Sequence, residues 1–150
     1  MKGIVRRIVM MIMGVFMLGA TATAGNGKAI TLTDLPGMAQ KTIKVYFGKK
    51  KVAMVKMETG FFEKTSYDVV FTNGDKIEFD GNGNWKDVSV KTGAVPAALV
   101  PQAVRTYLKA NYPRTKVVEI DKGRGKCEVK LSSGLEITFD NNYNVIDIDD

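Results

Sequence analysis

The sequence predicts an α+β fold: two tandem helix-plus-four-strand antiparallel repeats, with the helices packed on one face of a single sheet. Three observations carry this expectation. Two stretches of the chain align with each other, each opens with apolar residues at a helical period, and each continues with two-residue alternation of apolar and polar side chains.

The alignment is set by Leu35-Pro36 against Val100-Pro101, after which Ile43 lies opposite Leu108, Phe47 opposite Tyr112 and Val55 opposite Ile120. The offset is 65 residues in this part and 60 from Tyr67, which matches Cys127, to Ile77-Glu78-Phe79-Asp80, which matches Ile137-Thr138-Phe139-Asp140. The first copy therefore holds five extra residues between Lys56 and Ser66. Solenoids repeat shorter units three or more times, so a two-copy repeat of this length reads as a duplicated half-domain sharing one core. The copies are expected at about 31–90 and 97–150.

In each copy a proline, Pro36 or Pro101, stands in the first helical turn, where its missing N–H has no helical partner to lose. Leu35, Ala39, Ile43 and Phe47 recur every four residues, as do Val100, Val104, Leu108 and Tyr112. This spacing puts an apolar stripe on one helix face. Gly48 and Pro113 end the two helices. Beyond them Cys127, Val129 and Leu131 alternate with Glu128, Lys130 and Ser132, and Leu135, Ile137 and Phe139 alternate with Glu136, Thr138 and Asp140. Such alternation predicts antiparallel strands with one buried and one wet face. Asn73-Gly74, Ser133-Gly134 and the Gly/Asn clusters at 81–84 and 141–144 supply the turns.

Ahead of the repeats, basic Lys2, Arg6 and Arg7 lead into an apolar run from Ile8 to Ala20 and then Thr21-Ala22-Thr23-Ala24. This is the pattern of a cleavable signal peptide over residues 1–24, its 13-residue apolar run being shorter than the roughly 20 needed to span a bilayer. An exported, periplasmic or secreted protein with no membrane span after cleavage is expected, with residues 25–150 forming one domain. Without residues 1–24 the chain has 19 basic and 16 acidic groups, a net charge of about +3. That balance is poor support for a nucleic-acid partner. Lys44 with Lys49-Lys50-Lys51 reads as a solvated turn between helix and strand, lacking the interleaved aromatics of a single-strand binder. The lone cysteine, Cys127, shares the parity of Val129 and Leu131 and is expected in the core.

Histidine is absent. Its absence removes the usual general base and the Ser-His and Cys-His nucleophile pairs, so no enzyme activity and no cofactor are expected. A carboxylate-based hydrolase would need two acids buried close together with raised pKa values. Asp80, Asn82 and Asn84 have the i, i+2, i+4 spacing of a calcium loop, repeated by Asp140, Asn142 and Asn144. Yet Trp85 and Lys91 stand where that loop needs Gly and Glu, and Asn and Gly also suit a tight hairpin. Calcium or small-ligand binding therefore stays an alternative.

Strand parity gives the partner-binding candidates. If Val88 and Val90 face the helices, Trp85 has the opposite parity and lies on the open sheet face, while Phe61 and Phe62 sit near the tip of the inserted hairpin and Tyr143 in the last turn. Exposed aromatics of this kind anchor protein interfaces.

The helix start Val100-Pro101, the helix end Asn111-Tyr112-Pro113, the strand Val117-Val118-Glu119-Ile120-Asp121 and the hairpin from Ser132 to Asp140 resemble the β-lactamase-inhibitor-like, PepSY-like family of exported bacterial proteins. The resemblance covers about residues 30–150. This chain departs from it in the five-residue insertion and in Phe47-Gly48, which replaces the Tyr-Pro of the second copy. The resemblance implies helices on one sheet face, and a fold similar to inhibitors that grip β-lactamases with the other. The resulting expectation is a non-enzymatic binding or inhibitory module that recognises an exported or envelope protein through its open sheet face.

Overall fold

The computed structural model describes residues 27–60 and 64–150. A three-residue strand β1 (Gly27–Ala29) and a 3-10 turn precede helix α1 (Gly37–Phe47), and β2 (Val52–Glu58), β3 (Ser66–Phe71), β4 (Lys76–Asp80) and β5 (Trp85–Ser89) follow. A second 3-10 turn then leads to helix α2 (Gln102–Asn111) and to β6 (Val117–Asp121), β7 (Cys127–Leu131), β8 (Glu136–Phe139) and β9 (Val145–Asp149). All nine strands form one antiparallel sheet in chain order.

β1 is one strand more than the sequence predicts. β2 is two residues longer than β6, and Gly27 and Lys28 pair with its end at Glu58 and Met57. Only three residues long and carrying Gly27, β1 has none of the alternation from which a strand can be read.

Register explains the core. Val55, Val69, Ile77, Val88, Ile120, Val129, Ile137 and Ile148 stand directly opposite one another from β2 to β9, forming one aliphatic row. Both helices press their apolar stripes onto this side: Ala39, Ile43 and Phe47 from α1, and Val104 and Leu108 from α2, join the row from Val55 to Ile137 in one buried cluster, while Ile148 at the sheet edge is exposed. The Phe47 ring stacks on Phe71 at 5.4 Å, and Tyr107 meets Phe139 edge-on at 5.5 Å. Cys127 is buried in the same cluster, and burial pushes its thiol up to about 11.

Sheet hairpins are closed by short polar turns with equivalent bonds in the two halves. Asp80 Oδ1 accepts from the Asn82 and Asn84 N–H groups, and Asp140 Oδ1 accepts from those of Asn142 and Asn144. Asp75 is particular to the first half: fully buried, it accepts from the Lys50 ammonium, the Asn73 amide and the Lys91 N–H. Burial alone would raise its carboxyl, but these donors hold it below the ordinary carboxylate range. Leu135 occupies the aligned position in the second half.

Candidate functional site

One residue along from the aliphatic row, the same strands carry a second row on the opposite face, which no helix covers. Lys56 opposes Asp68, Asp68 opposes Glu78, Glu78 opposes Asp87, Asp87 opposes Asp121 and Asp121 opposes Glu128, followed by Thr138 and Asp147. Five carboxylates thus stand side by side across five strands. A neighbouring row adds Lys76, Ser89, Glu119, Lys130, Glu136 and Asp149. Directly opposed side chains in an antiparallel pair lie about 5 Å apart at Cβ, where like charges are destabilising.

The row is not fully solvated. Asp87 is only 6% exposed and stands directly opposite Asp121. Two carboxyl groups facing each other this closely cannot both ionise freely. Burial first, then Glu119, Asp121 and Glu78, push Asp87 up to about 9. Burial and the Asp68 charge push Glu78 to about 7, against the pull of Lys76. Burial also raises Asp121, Glu119 and Asp68, the last despite Lys76 Nζ at 3.6 Å.

Asp87, buried, and Asp121, half-buried, face each other and are shifted upward, as a carboxylate hydrolase would require. Among the described residues, no group of three or more His, Cys, Asp or Glu is arranged around a metal position. At the Asp80 turn the Asn82 and Asn84 backbone N–H groups occupy Oδ1, the Asn84 amide reaches Oδ2, and Lys86 Nζ lies 3.8 Å from Oδ2. Those bonds lower the Asp80 carboxyl, although its partial burial works the other way.

The aromatic candidates are elsewhere. Trp85 does not lie on the open face, because β5 carries a bulge at Lys86: Val88 opposes Ile77 and Asp87 opposes Glu78, but the next pair is Trp85 with Phe79. One extra residue reverses the parity, so the indole packs against the core on the helical side, with the Lys122 ammonium 3.5 Å from its ring centre. Tyr143, 41% exposed and at φ 61°, lines a cleft of about 240 Å³ with Pro101, Lys122, Cys127 and Asp140, also on the helical side. Phe61 and Phe62 lie outside the described residues. The acidic row went unnoticed in the sequence although every member sits at the polar parity of its strand. Hairpin turns fix the register that brings Asp68, Glu78 and Asp87 together and, separately, Asp121 and Glu128; the pairing of β5 with β6, across the connection that holds α2, joins the two groups.

Residues 65–147 match the model of a family described as "putative beta-lactamase-inhibitor-like, PepSY-like". Among solved structures, a "putative periplasmic protein" of the DUF2874 family from Bacteroides vulgatus is 50% identical, with 88% of this chain and all of that one covered and a TM-score of 0.80. A "putative calcium-regulated periplasmic protein" from Bacteroides thetaiotaomicron is 46% identical over 83% of this chain and 97% of its own, with a TM-score of 0.79. A second Bacteroides vulgatus protein, of unknown function and also described as periplasmic, is 35% identical over 83% of this chain and 99% of its own, at 0.77. No curated protein matches. Relatives this close place the chain in the periplasm, and no helix among the described residues is long and apolar enough to cross a membrane. The chain belongs to the PepSY-like, β-lactamase-inhibitor-like family.

Proposed function

We propose that the protein is a non-enzymatic binding or inhibitory module, exported by a signal peptide at residues 1–24, whose two tandem repeats present the open sheet face to a partner protein with a basic surface. One observation carries this reading: five carboxylates in register on an uncovered face. Stability alone would favour alternating signs across the strands, so a row of acids facing acids is a feature kept at a cost. A partner presenting lysine or arginine relieves the repulsion and gains electrostatic complementarity. Trp85 and Tyr143, on the other side, are not part of the surface.

Capture from periplasmic extract on immobilised protein tests the reading. Basic proteins should be retained by the wild type, released by salt, and lost from a variant carrying Glu78→Gln, Asp87→Asn and Asp121→Asn, which keeps the shape and removes the charge. Equal capture by that variant contradicts the site.

A second reading, calcium in place of a protein, is favoured by the description of the Bacteroides thetaiotaomicron relative as calcium-regulated. It predicts that calcium raises the melting temperature of the wild type and not of the same variant. No shift on adding calcium or a chelator disposes of it.

A further inference from the structure

Every charged residue of the two helices is basic. From Gly37 to Met57 and from Pro101 to Val118 the chain contains no Asp or Glu, while Lys41, Lys44, Lys49, Arg105, Lys109 and Lys116 are all exposed there. α1 differs from α2 in what it shows to solvent. Ala39, Ile43 and Phe47 face the core, and Met38, Lys41 and Val45, three and four residues apart, line the opposite side. Met38 is 57% and Val45 60% exposed. At the aligned positions α2 carries only Ala103 and Ala110.

We propose that this side of the molecule docks on an anionic bilayer surface, with α1 lying in the plane of the membrane. A helix with apolar side chains interleaved with lysines on its exposed face is suited to the boundary between headgroups and acyl chains, the lysine stems reaching outward to the phosphates. Cations spread over both helices, with no acid among them, match a continuous negative surface. A folded protein partner would need complementary acids at particular places and a larger apolar contact. Docked in this way, the protein turns its acidic sheet face away from the membrane toward the periplasm.

The test uses the chain from Gly25 onward, which contains all nine strands and both helices. It should sediment with vesicles containing phosphatidylglycerol and not with vesicles of phosphatidylcholine alone, and salt should release it. Lys41→Glu combined with Lys44→Glu should weaken partitioning by about tenfold or more, given roughly a factor of five per surface cation. Val45→Glu should weaken it as well, and all these exposed-site variants should melt like the wild type. Sedimentation with neither vesicle, equal sedimentation with both, or unchanged partitioning of the variants overturns the proposal. So does sedimentation without vesicles, which would make the occupant a second copy of the chain. The Glu78, Asp87 and Asp121 variant should partition at least as well as the wild type, so loss of partner capture and loss of membrane docking are separable.

Discussion

Two adjacent cross-strand rows of one sheet, offset by a single residue, follow opposite rules. The row containing Val69, Ile77, Val88, Ile120 and Val129 is apolar at every position and is covered by both helices. The other row is acidic at five successive positions, Asp68, Glu78, Asp87, Asp121 and Glu128, between Lys56 and Thr138, and no helix covers it. Backbone pairing is common to both, so the contrast isolates what side chains contribute: one row supplies the burial that drives folding, while the other holds like charges together against their repulsion. The lesson is that the fold's stability and the proposed recognition surface are built on the same strands and pull in opposite directions.

The sharpest break of this contrast is in the apolar row. Ile120→Ala, at a site with no exposure, should cost about 3 kcal/mol in chemical denaturation, the loss of transfer energy plus the cavity left behind. Loss below about 1 kcal/mol would mean that the row is not the core.

Next in size is a comparison of two buried acids. Asp75 is satisfied by three donors, whereas Asp87 faces another acid. Asp75→Ala leaves the Lys50 ammonium and the Lys91 N–H without their acceptor and should cost about 2 kcal/mol. If melting shows no loss, the three bonds do not hold the β3–β4 turn against the end of α1.

The pH dependence sharpens the contrast further. Asp87 and Glu78 have folded-state pKa values raised to about 9 and about 7. Their contribution is fully present below the unfolded carboxylate pKa of about 4 and is lost as pH rises through those values. Asp75, Asp80 and Asp140 are lowered, so their contribution is present above about pH 4 and lost on further acidification. Stability should therefore be greatest in mildly acidic solution and fall by about 1 kcal/mol or more toward pH 8. A profile flat between about pH 5 and pH 8 would mean that the row does not raise Asp87 and Glu78. The smallest effect belongs to Trp85: Lys122→Met should cost about 0.5–1 kcal/mol through loss of the ammonium over the ring.

Helices, strands and the inward face were legible in the sequence because each rests on a local period: Ala39, Ile43 and Phe47 at four-residue spacing, and Val129 and Leu131 at two. Trp85 was misplaced because parity counting assumes an unbroken pleat, and a bulge at Lys86 is written in no single residue type. β1 escaped because its three residues are a strand only by pairing with the extended β2. The acidic row lies between these cases. Each acid sits at the polar parity of its strand, but the row exists only through register, within the hairpins and across the helix-containing connection from β5 to β6, a relation between residues as far apart as Asp68 and Glu128.

The measurement that bears most directly on the acidic row is urea unfolding of Asp87→Asn against the wild type at neutral pH. Asparagine keeps the carbonyl oxygen, offers Asp121 an N–H donor and needs no proton, so the variant should be more stable by on the order of 1 kcal/mol. A variant less stable than the wild type would mean that Asp87 contributes to the fold as Asp75 does, and that the row is not held under repulsion.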